Sequence, residues 1–436
     1  MKSLLFLHIF ILLIGFSLES QPLYFPPLEG DEWETADPES LGWCTDEIDT
    51  LLSFLEEKDT KAFIILKDGK IAIEHYFGTF TQDSSWYWAS AGKSLTAFLV
   101  GLAQEQGHLS IENKTSDYLG AGWTSCPPNK EDLILVRHQL SMTTGLDDQV
   151  PDLDCTNDTC LQYLADAGTR WSYHNAPYTL LGSVIETATG NNLNVYLINE
   201  LQEHTGITGL YLPLGYNRVY FSNARSMARY GLLILNNGIW DQDTIMTDQE
   251  YFEEMVNTSQ NMNLSYGYLW WLNGKGSHML PYSQIVFPGE MVPSAPPDMF
   301  SAQGKNDQKI YVSPSQNLVV VRMGNDSGMP PLAGSSFNTA LWELLMNVLC
   351  TATSTEEQVT GKTPSVYPNP AGNSLTIDIS HGKDPGWIIV FDLYGRKVKE
   401  MPYSRKISVR DLNYGIYIIA VIDVNDKIIL KEKFVR

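Results

Sequence analysis

Two groups of predicted strands, one near the start of the chain and one near residue 310, most constrain its fold. The first is a hairpin in which the apolar run AFIIL and the alternating run KIAIEHYFG flank the turn Asp68-Gly69. An Asp-Gly pair between such runs is a strong hairpin signal. The second group contains strands at Lys309 to Val312 and Leu318 to Met323, followed by a helix from Ser336 to Val348.

A long helical region separates the two groups. Apolar residues recur at helical spacing over about 90 to 255, and a further helix is predicted from Asp46 to Glu57. The strands at the two ends can form one sheet only by pairing across this region. The sequence therefore predicts an α+β domain over residues 28–350, with an antiparallel β-sheet flanked by helices and a helical insertion domain.

The composition excludes several classes of protein. The chain has 436 residues, 43% of them hydrophobic, and 5 Cys, which does not fit a disordered, collagen-like or disulfide-scaffold protein. At roughly 150 residues per domain, two or three domains are expected. The 51 Asp and Glu against 29 Lys and Arg give a net charge of -22, so nucleic acid is not an expected partner.

The N-terminus has the pattern of an export signal. Lys2 is followed by an almost wholly apolar run from Leu4 to Phe16 and then by polar residues, which predicts a signal peptide over residues 1–21. A signal anchor or a buried strand are the alternatives. Because no second run is long and apolar enough, no stable membrane span is expected in the mature chain.

A polar linker is predicted at residues 351–364, TATSTEEQVTGKTP. The segment after it, residues 365–436, is predicted to form a small C-terminal β-sandwich. Its strand patterns run over Leu375 to Ile379, Trp387 to Leu393, Ile416 to Asp423 and Ile428 to Phe434, with turns at Tyr394-Gly395 and Asn425-Asp426.

This last segment resembles the C-terminal sorting domain of type IX secretion substrates of Bacteroidota. The resemblance rests on YPNP from Tyr367, DLYGR from Asp392, LNYGIY from Leu412 and the final KFVR. It implies a partner in the secretion machinery and a secreted or cell-surface location. A carbohydrate-binding or spacer sandwich is the alternative.

Export makes disulfides possible. Cys155 and Cys160 flank a short polar loop and are the first candidates for a pair. Cys44 and Cys350 would form a long-range link if the two ends of the domain meet. Buried free thiols are the alternative, and the odd count leaves at least one thiol free.

Ser90 and Lys93 lie one turn apart at the start of a predicted helix, in which Leu95, Phe98 and Leu102 recur at helical spacing. A partly desolvated lysine loses its proton more easily and can take the serine proton. The helix dipole also favours the anion that forms. The pair is therefore a candidate nucleophile and activator.

The pattern Ser-x-x-Lys is not specific by itself, because it occurs again at Ser380. Ser380 is set aside because it precedes His381-Gly382 and a loop with no helical pattern. A second element is Tyr173-His174-Asn175, in which a phenol can relay a proton and an amide can hold a substrate carbonyl. A buried Tyr and a helix-capping Asn are the alternative interpretation.

A third element is a strand edge that supplies a backbone N–H to an oxyanion. The run FSAQG, from Phe300 to Gly304, precedes a strand and can supply it. Together, the order of the three elements resembles that of the β-lactamase and penicillin-binding-protein superfamily, and is most similar to its class C-like serine hydrolases. The resemblance covers most of residues 45–350 and includes WASAGKSLTAFLVGLAQEQG and VRHQLSMTTGL.

The resemblance implies the role of each motif residue. Ser90 would be the nucleophile, Lys93 its activator, Tyr173 the general base and acid, and Asn175 the residue that orients the substrate. For the third motif, the resemblance implies substrate contacts from four consecutive residues, Ala302, Gln303, Gly304 and Lys305. It also implies that the backbone N–H groups of Ser90 and Lys305 donate hydrogen bonds to the oxyanion.

The implied activity is that of an exported serine hydrolase of the esterase or aminohexanoate-oligomer-hydrolase type, acting on a small-molecule ester or amide without cofactor or metal. A β-lactamase or D-amino-acid peptidase, and a non-catalytic surface-binding protein on the same fold, are the alternatives. Ala302 opens the third motif where penicillin-recognising members carry a cation or His, which argues against a good lactamase. Trp270 and Trp271 are expected either in the core or in the substrate cleft.

Overall fold

The computed structural model describes residues 23–329, 336–350, 365–367, 371–379, 385–392, 396–423 and 428–436. The predicted signal peptide, the predicted linker, Ser380 and the two predicted turns of the last segment lie outside the described residues. Within residues 23–350 the structure contains twelve described α-helices. They are α1 Ile48–Glu57, α2 Gly92–Glu105, α3 Ser116–Leu119, α4 Pro128–Glu131, α5 Val136–Leu140, α6 Asn175–Thr179, α7 Leu181–Thr189, α8 Leu193–Leu197, α9 Glu203–Thr205, α10 Ala224–Leu235, α11 Gln249–Met255 and α12 Ser336–Val348.

The described strands of the same region begin with the predicted hairpin and end with the two strands predicted near residue 310. They are β1 Thr60–Lys67, β2 Lys70–Tyr76, β3 Trp86–Tyr87, β4 Leu210–Leu214, β5 Asn217–Ser222, β6 Ile239–Trp240, β7 Asp243–Thr244, β8 Trp271–Leu272, β9 Ser277–His278, β10 Phe287–Pro288, β11 Phe300–Gly304, β12 Gln308–Ser313 and β13 Leu318–Gly324.

The main sheet has six strands in the order β2-β1-β13-β12-β11-β8, and all neighbours are antiparallel. The predicted hairpin is confirmed, with Lys67 opposite Lys70. On its other side β1 pairs with β13, where Lys67 lies opposite Leu318. The sheet therefore joins the two ends of the domain around the helical region, and the predicted fold class is confirmed.

Helices cover both faces of this sheet, which is why β1 and β13 are almost completely buried. On one face, α10 approaches β13 so closely that a Cβ on Gly231 would lie 2.5 Å from Val319 Cγ1. On the other face, Tyr311 of β12 donates to Asn338 Oδ1 of α12 at 2.7 Å. Helix α2 lies on the α10 side, where the Tyr230 hydroxyl of α10 donates to Ser94 O at 2.7 Å.

Two disulfides are present, between the pairs that the sequence offered. Cys44 and Cys350 link the two ends of the domain, with Cα atoms 5.4 Å apart. Cys155 and Cys160 close a short loop, and Cys126 is free.

The C-terminal segment forms two small antiparallel sheets, β14-β15-β18 and β17-β16-β19-β20. Apolar side chains of both sheets share one core, for example Leu375, Ile388 and Ile419, as a sandwich requires. The sequence did not predict β14, β17 or β18. Strand β17 lies at a sheet edge and is rich in exposed charge, which hides the alternation that marks a strand. The strands are β14 Ser365–Tyr367, β15 Ser374–Asp378, β16 Pro385–Asp392, β17 Lys397–Pro402, β18 Lys406–Ser408, β19 Ile416–Asp423 and β20 Ile428–Val435.

None of the helices in the described ranges combines the length and the apolarity that are needed to cross a bilayer.

Candidate active site

Ser90 and Lys93 are brought into contact at the start of α2. Ser90 lies in a 3₁₀ turn, Ala89–Ala91, that leads directly into the helix, so the two side chains are one turn apart. Lys93 Nζ donates a hydrogen bond to Ser90 Oγ at 2.9 Å. The predicted nucleophile and its activator are therefore within proton-transfer distance.

The Lys93 ammonium is almost completely buried, and this changes its basicity. Burial lowers the pKa of Lys93 to about 7, and the negative charge of Asp154 opposes that shift. The rings of Tyr178 and Tyr173 lie 4.2 and 5.1 Å from Nζ. A large fraction of the amine is thus uncharged near neutral pH and able to accept the serine proton.

Ala89 has a backbone conformation that the sequence did not indicate. Its φ is +47°, a left-handed value that residues other than Gly rarely adopt. Trp88 is anchored on one side of it, because its N–H donates to Tyr220 O at 2.8 Å and its Nε1 donates to Ser222 Oγ at 2.7 Å. Strained residues of this kind cluster at functional sites, and here the strain directly precedes Ser90.

Tyr173 packs beside the pair on a wall of aromatic rings. Its ring stacks on Trp271 at a centroid distance of 5.7 Å and an interplanar angle of 23°. Burial raises the pKa of the Tyr173 phenol above its usual value, and a hydrogen bond with Ser90 opposes that shift. The phenol is therefore protonated at neutral pH, which suits a proton donor. Trp271 lines the cleft, whereas Trp270 is buried in the core against Tyr230 and Phe300.

Asn175 lies at the start of α6 and has a partner that the sequence did not reveal. Its Nδ2 donates to Asp154 Oδ1 at 2.7 Å, and no described residue forms a hydrogen bond with its buried Oδ1. Asp154 directly precedes Cys155, at the edge of the loop that the Cys155–Cys160 disulfide closes. The sequence marked this loop through its cysteines, but nothing in it distinguished Asp154 from its acidic neighbours.

Gly304, at the end of β11, allows this strand to approach the Ser90 turn closely. A Cβ at this position would lie 2.3 Å from Trp88 O and 3.1 Å from Ser90 N, so only glycine fits. Beyond Ser301, no described strand pairs with β11 on the side of β8, so this edge is open next to Ser90 among the described residues. The N–H of Ser90 is in the first turn of a helix, where backbone donors have no intrahelical acceptor.

The remaining residues of the third motif differ in their surroundings. The Ala302 side chain is completely buried in the core and lies outside the cleft. Gln303 lines the cleft, and its Oε1 accepts from Lys309 Nζ at 2.9 Å. Lys309 also forms a buried ion pair with Asp307 at 3.1 Å, so its charge is compensated. Lys305 is exposed at the cleft.

These residues surround a cleft of about 480 Å³. Seven of the eight predicted site residues line it: Ser90, Lys93, Tyr173, Asn175, Gln303, Gly304 and Lys305. Its lining also includes Asp154, Tyr178, Leu214 and Tyr282, which the sequence did not single out. A larger depression of about 1090 Å³ lies around Trp33 and Trp240, but its lining contains no serine, cysteine or lysine.

The described residues offer no group of three or more His, Cys, Asp or Glu side chains that could hold a metal ion. The chemistry that the cleft itself supports is nucleophilic attack by a hydroxyl next to a neutral amine, with backbone N–H donors for the resulting anion.

Two sequence families match the chain. The family described as Beta-lactamase matches residues 55–337, and the family described as Secretion system C-terminal sorting domain matches residues 365–435. A curated relative, an uncharacterized protein of Alkalihalophilus pseudofirmus, is 23% identical over 309 residues, which are 61% of this chain and 84% of that protein.

Solved structures share the fold of the main domain. A protein from Bacillus anthracis, provisionally named a 6-aminohexanoate-dimer hydrolase, has a TM-score of 0.54 at 16% identity and covers 69% of this chain and 81% of its own. A provisionally named β-lactamase from Bacteroides dorei has a TM-score of 0.55 at 17% identity, with coverages of 71% and 99%. A penicillin-binding-protein homologue from Caulobacter crescentus has a TM-score of 0.53 at 14% identity, with coverages of 70% and 98%.

Proposed function

Because the chain belongs to the β-lactamase family and ends in a secretion sorting domain, we propose that it is an exported serine hydrolase that cleaves an ester or amide through an acyl-enzyme on Ser90. The observation that carries the proposal is the 2.9 Å contact between Ser90 Oγ and the buried Lys93 Nζ. Members of this family are serine hydrolases, and this contact supplies the activated nucleophile that such chemistry needs.

In the first step, Ser90 Oγ attacks the carbonyl carbon and its proton passes to the neutral Lys93 amine. We assign this base role to Lys93, because a Tyr173 phenol whose pKa is raised by burial is a poor proton acceptor at neutral pH. The carbonyl oxygen becomes an oxyanion that accepts hydrogen bonds from the N–H groups of Ser90 and Lys305.

Collapse of this intermediate breaks the bond from the carbonyl carbon to the leaving oxygen or nitrogen. Tyr173 donates its phenolic proton to the leaving group and regains one from the Lys93 ammonium, which restores the amine. Water then attacks the acyl carbonyl and gives a proton to the neutral Lys93 amine. Collapse of this second intermediate breaks the bond between Ser90 Oγ and the acyl carbon, and the Lys93 ammonium returns the proton to Ser90 Oγ as the acid is released. No other side chain is needed to balance the protons.

A lactam or another carboxylate-bearing substrate is the second candidate. It is favoured by the exposed Lys305 in the cleft, which could pair with a substrate carboxylate. It is disfavoured by Ala302 and Gln303, which bring no charge to the third motif, and by the ion pair that compensates Lys309. An ester or amide without a carboxylate next to the reacting bond is therefore the first choice.

The test is turnover by the full chain of p-nitrophenyl acetate and of a chromogenic cephalosporin, with Ser90→Ala as the control. We expect ester turnover that the substitution abolishes, and little cephalosporin turnover. Rapid cephalosporin hydrolysis would instead favour the second candidate. Labelling with a fluorophosphonate distinguishes the two candidate hydrolases from a non-catalytic binding protein, which would not react at Ser90.

A further inference from the structure

Three exposed leucines form a ridge on β4. Leu210, Leu212 and Leu214 are 44%, 44% and 63% exposed, and alternate residues of a strand point to the same side. Tyr211, between the first two, points the other way and is buried, with its hydroxyl 3.0 Å from Thr96 Oγ1. The strand is therefore anchored through its other face, and the leucine ridge, Leu210 to Leu214, is left in solvent.

The leucine ridge is continuous with the catalytic cleft. Leu214 lines the cleft, and so does Val219, which lies directly opposite Leu212 in the β4–β5 hairpin. Strand β5 also pairs with β3, where Tyr87 lies opposite Phe221. Because β3 directly precedes the Ser90 turn, the ridge is held in a fixed position relative to the nucleophile.

Further apolar surface lines the cleft. It includes Pro281, Trp271 and the ring of Tyr282, which is 65% exposed. Contiguous exposed apolar surface of this kind commonly marks a binding site. The distance from Leu210 to Leu214 along the strand is about 13 Å, since a strand rises about 3.3 Å per residue.

We propose that the leucine ridge binds an aliphatic chain of the substrate, so that the preferred esters or amides carry a medium-length alkyl group next to the reacting bond. This inference rests on the proposed function, because the chain must extend from a carbonyl held at Ser90. Each methylene that is fully removed from water strengthens binding about fourfold. A methylene that contacts the protein on one side only strengthens binding about twofold. Six additional methylenes should therefore raise kcat/KM by more than an order of magnitude.

The experiment uses the full chain and compares p-nitrophenyl octanoate with p-nitrophenyl acetate, and octyl acetate with ethyl acetate. The first pair lengthens the acyl group and the second the leaving group, so together they show which side the ridge binds. The test variant is Leu210→Ser with Leu212→Ser. The matched control is Leu133→Ser, which removes a leucine of equal exposure, 44%, outside the cleft lining.

We expect the native enzyme to prefer the long chain in one pair, and the double variant to reduce that ratio of kcat/KM about tenfold, with no change in the control. Because the ratio is measured within each variant, a smaller folded fraction cannot produce this result. No chain-length preference, or a preference that the double variant retains, would overturn the inference.

Two further measurements separate other outcomes. If no ester is turned over, the proposed function fails, and titration calorimetry of sodium decanoate with the Ser90→Ala protein still tests the ridge. Binding that the ridge substitutions abolish supports it, and binding that they leave intact contradicts it. A dimer seen by light scattering that dissociates in the double variant would assign the ridge to a second copy of the chain and also overturn the inference.

Discussion

Asp154 accepts a hydrogen bond from Asn175 Nδ2 at 2.7 Å and thereby fixes the direction of the Asn175 amide. A carboxylate can only accept, so the NH₂ end must face Asp154 and the carbonyl end must face away. That carbonyl oxygen is buried without a partner among the described residues. We propose that Asn175, whose side chain lines the cleft, orients the substrate through the second hydrogen of its NH₂ group.

Replacing Asp154 should change both the pH profile and the rate. The charge of Asp154 raises the pKa of Lys93, so in Asp154→Asn that pKa falls further and the active, uncharged amine persists to lower pH. The acid limb of kcat/KM should move to lower pH. The plateau should fall about tenfold, because a hydrogen bond to a charged group is lost. Asp117→Asn, on an exposed helix, is the control, and an unshifted limb would contradict the assigned interaction.

The activity of the native enzyme should depend on the protonation of Lys93. Its pKa of about 7 lies far below the ordinary lysine value, and only the neutral form accepts a proton. The value of kcat/KM should therefore rise as the pH increases through about 7 and then level off. Lys93→Met should lose about 10³-fold, whereas the exposed Lys114→Met should not. A profile that rises only above pH 9 would be inconsistent with a buried amine as the base.

Gly304 should tolerate no side chain. In Gly304→Ala the new Cβ would lie 2.3 Å from Trp88 O and 3.1 Å from Ser90 N, so β11 must move away from the Ser90 turn. Loss of one oxyanion donor costs about 10²-fold to 10³-fold in kcat. Gly276→Ala is the matched control, since no atom of another described residue beyond its chain neighbours lies within 4 Å of its added Cβ. Equal kcat values for the two variants would show that Gly304 does not contribute to the site.

The two disulfides should have separable effects. Removing Cys44–Cys350, which spans 306 residues, should lower the free energy of unfolding by up to about 5 kcal/mol and leave kcat/KM of the folded enzyme nearly unchanged. Removing Cys155–Cys160 should cost about 2 kcal/mol and reduce kcat/KM, because the loop that positions Asp154 is loosened. Denaturant unfolding and ester turnover of the two double Cys→Ser variants measure both quantities. The reverse pattern would show that the short loop does not position Asp154.

The sorting domain should control the location of the enzyme. In a host with the type IX machinery, deletion of residues 365–436 should keep the hydrolase inside the outer membrane, while the full chain reaches the surface or the medium. Ester turnover in the cell fractions and medium follows this directly. Equal amounts outside the cell for both forms would show that another segment directs export.

Much of this protein could be predicted from local patterns. The Asp68-Gly69 hairpin, helix α12 and the Ser90 to Lys93 turn are set by residues close together in the sequence, through turn chemistry and the period of the helix. The arrangement of strands around the helical region predicted the fold class, and the family resemblance carried by the three motifs implied seven residues of the cleft. The sequence offered the link between Cys44 and Cys350 only on the condition that the two ends of the domain meet, and the structure shows that link.

Only the tertiary structure decided what depends on contacts between distant segments. It selected Asp154 from an acidic loop, placed Trp271 in the cleft but its neighbour Trp270 in the core, and gave Ala89 a left-handed backbone. It also exposed the leucine ridge beside the cleft. The leucines of the ridge alternate along the sequence, but neither their exposure nor the other features follow from a local motif. Each arises from the way separate elements pack around Ser90, and that packing is set by the whole chain.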